Sequence, residues 1–459
     1  MARKSSIDLT QGAIHRHVFR MLGPFSLAII ALLSAGIVDT IYLGRLTDPE
    51  RPGLAIMALA ALGFAFPLTF LGNSANIGLG AGTMSAVARA IGEGDMDRAR
   101  RHSAAAILLA LFTMSILVTV MSLTMPFVLS YMGAEPEVAR MAQSYLVLSL
   151  PGLVIVSVAM MSNNIMRASG EAALPSSIMI LGAILNIIFD PFLIFGLGPF
   201  PRLEVQGAAL ATVLGNTVAA CYGLYLVLFH RRAVSFAGMT WGSVRRAWGV
   251  IGRVGIPAAG TNIIVPASAA VAVTIIARNL STVDVAAFTV AGRAEMISVG
   301  MLYALSACIG AITGQNGGAG LTPRVRTTFK VCYKICFFWS TFLALILALF
   351  AEPFAAIFSN DPEIISRTLP YFYIVPITIF GYGFVFVSAA GLNALGHPLY
   401  GLVYTILRSV IFYIGFIYIG VTLAGLPGAF YGMAAANLIS GFIAAGWSLA
   451  RAPMTARAS

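Results

Sequence analysis

The stretch Leu185-Asn186-Ile187-Ile188-Phe189-Asp190-Pro191 puts a carboxyl inside an apolar run from about Pro175 to Leu197. That run is long enough to cross a bilayer. An ionisable group there costs roughly 2.5–3.5 kcal/mol on insertion, so such groups face a protein interior or a wet cavity. Asn186 precedes Asp190 by one helical turn, which places both side chains on one face. Pro191 lacks an N–H and its ring pushes against the carbonyl of Ile187, so the helix should bend beside the acid and free a backbone oxygen. A carboxylate, an amide and a loosened carbonyl on one face can seat a small cation or a proton. The competing reading is an Asp buried for packing and capped by a neighbouring helix.

A second acid, Asp39, lies in Gly36-Ile37-Val38-Asp39-Thr40 of the first apolar segment. At 1.5 Å per residue it sits about 27 Å along its span, and Asp190 about 22 Å along its own, so both fall in the outer half of the membrane. Two carboxyls close together in a low dielectric cannot both ionise cheaply. One keeps a proton or a cation bridges them, and either state can be exchanged. The alternative for Asp39 is a hydrated position at the lipid–water interface. Pro24 lies about four turns before Asp39, where a kink could serve as a hinge or be static.

Composition sets the class of the protein that carries these acids. The 459 residues are 59% hydrophobic and 10% charged, with mean hydropathy +0.90. Soluble domains carry about 25% charged residues, so the chain reads as an all-α polytopic membrane protein. Membrane β-strands alternate in polarity, and these segments are apolar all round. The formal charge of +11 points to loops facing the cytoplasm, not to nucleic acid. Cys221, Cys308, Cys332 and Cys336 all lie in apolar segments. They lack zinc-site spacing and read as small lipid- or core-facing residues. The first 20 residues have no short apolar core followed by a cleavage site, so the first span is expected to be kept.

About twelve spans are expected. They divide the chain into a cytoplasmic segment 1–20, an N-lobe 21–230, a cytoplasmic inter-lobe loop 231–249, a C-lobe 250–450 and a cytoplasmic tail 451–459. Of the 28 Lys and Arg, 20 fall in segments that are inside if the N-terminus is inside, six fall outside, and Arg293 and Arg408 lie within spans. That bias puts both termini in the cytoplasm, in a cytoplasmic (inner) membrane.

The two lobes read as a repeat. At a shift of 226, Gly92 and Gly94 fall on Gly318 and Gly320, Arg98 and Arg100 on Arg324 and Arg326, Tyr145 on Tyr371, and Gly170 on Gly396. Further on the shift is 221: Gly207 meets Gly428 and Asn216 meets Asn437. Six spans per repeat gives both halves one orientation, the arrangement of two pseudo-symmetric six-helix bundles that enclose a central cavity and rock to expose it alternately. The acids do not repeat. Asp190 maps to Phe416, Asn186 to Phe412 and Asp39 to Val265, so ion handling is expected in the N-lobe alone.

Three blocks carry a family resemblance: Met166-Arg167-Ala168-Ser169-Gly170-Glu171-Ala172-Ala173-Leu174-Pro175, then Leu185 to Pro191, then Val205-Gln206-Gly207-Ala208-Ala209-Leu210-Ala211-Thr212. Gly314-Gln315-Asn316-Gly317-Gly318-Ala319 adds a second-half signature. The chain resembles the multidrug and toxic compound extrusion (MATE) family of cation-coupled exporters over nearly its whole length, and within it the DinF-like branch. That resemblance implies a cation site of Asp39, Asn163, Asn186, Asp190 and Thr212, with Tyr145 lining the cavity and Pro24 at the bend of the first helix. Asn164, adjacent to Asn163, is an alternative amide. The NorM-like branch carries acids in its seventh and tenth helices, and both segments here lack Asp and Glu, which puts a C-lobe cation site in doubt. Arg293, Glu295 and Arg408 remain as charges in C-lobe spans, either paired with other helices or lining the cavity.

The resulting expectation is an antiporter: inward H⁺ or Na⁺ drives export of amphipathic, often cationic, organic compounds. No cofactor beyond the coupling ion, no metal beyond possible Na⁺ at that site, and no nucleic acid are expected. The partners are a small substrate and the bilayer, and one chain is expected to function as a monomer. The alternative is a flippase for a lipid-linked or amphipathic metabolite, although the spans hold few basic residues. An intramembrane aspartyl enzyme is disfavoured, because neither Asp has the Gly-x-Gly-Asp context.

Overall fold

The computed structural model describes residues 8–49, 51, 54–132, 135–358 and 361–455. Its helices are α1 (Ile14–Gly44), α2 (Leu54–Gly92), α3 (Met96–Tyr131), α4 (Pro136–Ala168), α5 (Ala173–Phe195), α6 (Val205–Tyr225), α7 (Trp241–Asn279), α8 (Thr282–Gly318), α9 (Thr322–Leu349), α10 (Ala351–Ala356), α11 (Pro362–Ile374), α12 (Ile379–Ala394), α13 (Pro398–Ile406) and α14 (Gly415–Thr455). π-Helical turns follow α6 at Leu226–His230 and α13 at Leu407–Ile414.

Among the described residues eleven helical stretches are long and apolar enough to span a membrane. The last of them, Pro398–Arg451, covers 54 residues and holds two spans. Its backbone leaves helical geometry at Ala424 (φ −145°, ψ 21°) and Gly425 (φ 62°, ψ −142°). The positive φ at Gly425 is a conformation glycine adopts without steric cost. The tenth span is α11 and α12, joined through a 3₁₀ turn at Pro376–Thr378.

Helix starts follow local chemistry. Asp95 caps α3 by accepting from the backbone N–H of Arg98 at 2.8 Å. Ser281 and Asp284 form a reciprocal capping box at α8. Thr240 and Ser243 exchange hydrogen bonds of 3.3 and 3.0 Å and start α7 at Trp241. Helix therefore begins inside the stretch read as loop 231–249, because the Thr240–Ser243 cap starts it and the arginines at 245 and 246 are good helix formers. The repeat glycines have a common cause: Gly94 and Gly320 (φ +80° and +69°) and Gly170 and Gly396 (φ +81° and +85°) all turn the chain in the left-handed region.

The chain forms two compact units. Of the described residues, the first comprises 23–49, 51, 54–90, 95–132 and 135–259, and the second 8–22, 91–94, 260–358 and 361–455. The boundary falls within α1, one residue before Pro24, and within α7, not in the 231–249 loop. In the first unit α2, α3 and α4 share a core that includes Leu68, Met114, Met121, Leu146 and Leu150. Trp248 of α7 donates to the Ala105 carbonyl at 3.0 Å. In the second unit large aromatics dominate, with Tyr371, Phe372 and Phe430 fully buried. There the Gln315-Asn316 pair holds the N-terminal segment. The Leu9 N–H donates to Gln315 Oε1 at 3.1 Å, and Asn316 Nδ2 donates to the Leu9 carbonyl at 3.1 Å. Arg324 adds bonds to the carbonyls of Gly12 at 2.8 Å and Leu9 at 3.1 Å. Hydrogen bonds from Thr10 and the charge of Arg324 hold the nearby Asp8 carboxyl below its ordinary range. Cys308, Cys332 and Cys336 are buried and Cys221 is exposed, all as free thiols.

Candidate functional site

In the first unit α5 and α6 pack through glycines. A Cβ on Gly215 would lie 2.8 Å from the Gly182 carbonyl oxygen and 3.1 Å from the Asn186 nitrogen. Small residues at a membrane helix interface let backbones approach closely. This approach brings Thr212 of α6 beside Asn186 of α5, whose amide donates to Thr212 Oγ1 at 3.1 Å. The same amide reaches Asp190 Oδ1 at 3.4 Å, one turn along α5. Helix α5 continues through Pro191 to Phe195. Pro191 still leaves the Ile187 carbonyl without its helical donor.

Asp39, near the C-terminal end of α1, joins this group. Its carboxyl lies within hydrogen-bonding reach of both Asp190 and Asn186. Asp190 is fully buried and Asn186 nearly so. Asp39 Oδ1 and Asp190 Oδ2 are each buried and receive no hydrogen bond. Buried acceptors of this kind are rare and costly. Tyr145 of α4 is close enough to interact electrostatically with both acids. Asn216, one turn beyond Thr212, donates back to the Thr212 carbonyl at 2.8 Å.

Asn163 lies apart from this cluster. It is buried, and its amide donates to the Pro175 carbonyl at 2.7 Å, tying α4 to the first turn of α5. Asn164 donates to the Met160 carbonyl at 2.8 Å and packs against Gly80. Both amides serve backbone carbonyls, Asn163 across to the start of α5 and Asn164 within its own helix beside α2. Pro24 lies inside α1, which is helical on both sides of it.

The second unit holds a charged cluster whose pairing the sequence did not reveal. Arg408 on the π-helical turn, Glu295 on α8 and Asn437 on α14 meet in its interior. The signal was Asn437, the repeat partner of Asn216. Among the described residues no group of three His, Cys, Asp or Glu side chains is placed to hold a metal ion.

A family model described as MatE matches residues 24–192 and 257–419. The chain belongs to the MATE family. Members are membrane transporters, not enzymes. This MATE chain is 31% identical over 438 residues to a protein of Shewanella oneidensis named FAD transporter, covering 95% of each chain. It is 24% identical to the multidrug export protein MepA of Staphylococcus haemolyticus, over 93% of this chain and 92% of that one. Its fold matches the Vibrio cholerae MATE transporter VcmN in the bent form, with a TM-score of 0.88, 24% identity and coverage of 96% of this chain and 98% of that one.

The α5–α6 contact offers a direct test of how the site is held. Gly215→Ala should separate the two helices and lengthen the Asn186–Thr212 bond, at a cost of about 1–3 kcal/mol from overpacking. The expected readout is a lower melting temperature of the purified protein together with slower driven transport. Unchanged melting and transport would mean that the helices absorb the methyl and that their close approach does not set the site.

Proposed function

We propose that this MATE protein is a cation-coupled antiporter. A proton or Na⁺ taken up at Asp39, Asp190, Asn186 and Thr212 drives export of amphipathic organic compounds by alternating access. The observation that carries the reading is the meeting of two carboxyls from α1 and α5, each with a buried oxygen that receives no hydrogen bond. One proton or one Na⁺ between them satisfies both, and its departure leaves two like charges that repel. A charge change of that kind supplies the differential interaction that a conformational equilibrium needs in order to shift. Tyr145 lines the site, and Pro24 supplies a hinge in α1. Asn163 supports the α4–α5 turn instead of contacting the ion. The Lys and Arg bias supports cytoplasmic termini in a cytoplasmic membrane, and the proposed working unit is a monomer.

One comparison favours a second reading of the substrate. The relative matched over 95% of both chains is named FAD transporter, which points to flavin nucleotides instead of cationic drugs as cargo. Purified protein in proteoliposomes tests both points. A pH gradient and a Na⁺ gradient are imposed separately, with ethidium or FAD as cargo. Accumulation driven by one gradient identifies the ion and by one cargo the class. No accumulation above the rate without a gradient, for either ion, would remove the antiport reading.

A further inference from the structure

Arg408 is one of the two basic residues that the sequence places inside spans, and it is buried, with its side chain 4% exposed. A guanidinium at that depth is costly and tends to be functional. It projects from the π-helical turn Leu407–Ile414, an uncommon geometry that recurs at functional sites. Its hydrogen bonds go to a single neutral oxygen, Asn437 Oδ1, at 3.0 Å from Nη2 and 3.3 Å from Nε. Its counter-ion Glu295 stands 3.6 Å from Nη2, longer than the 2.7–2.9 Å of a built charge-assisted bond. Guanidinium carries five N–H donors in a fork that matches phosphate, so most of that capacity is uncommitted.

Aromatic rings lead from the surface of this unit to the guanidinium. Tyr303 is 44% exposed, and its ring centre is 4.8 Å from that of Phe386. Phe386 is 4.7 Å from Tyr382, and the Arg408 Cζ lies 3.2 Å from the centre of the Tyr382 ring. The file is suited to a flat ring stacked near Tyr303 and Phe386, with an anionic group reaching inward. The repeat sharpens the contrast between the units. Gly182 occupies the position that matches Arg408, and Phe416 the position that matches Asp190. The first unit thus presents carboxyls and the second a guanidinium on corresponding helices.

We propose that Arg408 is the receptor for the phosphate of a planar aromatic anion, with Glu295 as the counter-ion that the phosphate displaces. The proposal rests on the transport reading for its purpose, but its test is one of binding and stands apart from coupling. FMN and riboflavin share a ring and differ by one phosphate. Binding of each to purified protein is measured by quenching of flavin fluorescence. FMN is expected to bind at least tenfold more tightly than riboflavin, and Arg408→Gln to bring FMN down to the riboflavin affinity. Glu295→Gln removes the competing carboxylate, so it should tighten FMN several-fold and leave riboflavin unchanged. A gain of that kind cannot come from misfolding, which keeps the test decisive if Arg408→Gln fails to fold. Equal affinities for FMN and riboflavin in the unmodified protein overturn the proposal, as does a Glu295→Gln variant whose FMN affinity is unchanged or weaker. Failure of gradient-driven transport with the phosphate preference intact would count against the antiport reading alone.

Discussion

Asp190→Asn and Asp39→Asn each reduce gradient-driven export to the rate seen without a gradient, while expression and chromatographic behaviour stay normal. Asn keeps the shape of Asp and can still hydrogen-bond to its neighbours, so the packing of α1 against α5 is preserved. It cannot exchange a proton and offers a cation one neutral oxygen in place of a charged pair. The charge difference between loaded and empty states disappears, and with it the free energy that biases one conformation over the other. Both acids meet at one site, so the double variant should be no worse than either single one. Glu295→Gln is expected to be milder, because Glu295 is paired with a guanidinium and not with a second carboxyl. Proteoliposome uptake under an imposed gradient measures all four variants. Normal driven transport in both Asp variants would place the coupling site elsewhere, and complete loss in Glu295→Gln would show that the first unit does not couple alone.

Gly428→Ala should abolish recovery of folded protein. In α14 the backbones of Gly420 and Gly428 approach so closely that a Cβ on either would overlap the other's carbonyl oxygen. The intervening Ala424 and Gly425 carry the non-helical turn that divides the last two spans. Backbone on both sides leaves no flexible side chain to give way, so the cost should exceed the roughly 1–3 kcal/mol of ordinary overpacking. Gly446→Ala in the same helix is the control, since a Cβ there meets nothing within 4 Å. Thermal melting and size-exclusion profiles of the two variants decide the matter. If Gly428→Ala melts with the unmodified protein, the close approach is not a real constraint.

The same helix shows where sequence reading stops. Apolar length gave twelve spans, and the structure supplies them only because Gly425 at φ 62° breaks one continuous helical stretch. The motif Gly314 to Ala319 was legible as a signature, yet its work in holding Leu9 through Gln315 and Asn316 could not be read from spacing. A segment some 300 residues away in sequence has no periodicity that ties it to α8.

Hydropathy, charge bias and internal repetition in the sequence alone determined a helical membrane protein in two halves, with Asp39 and Asp190 in the first and no acid at the matching positions of the second. The four-residue spacing of Asn186 and Asp190 also determined that they share a face, because that follows from the pitch of their own helix. Tertiary structure decided what faces them. It brought Asp39 to Asp190, Thr212 to Asn186 through the Gly182–Gly215 approach, and Arg408 to Asn437 and Glu295. It also turned Asn163 away to the Pro175 carbonyl. Helical period fixes neighbours within an element, whereas neighbours across elements depend on crossing geometry and on which small residues let two backbones close.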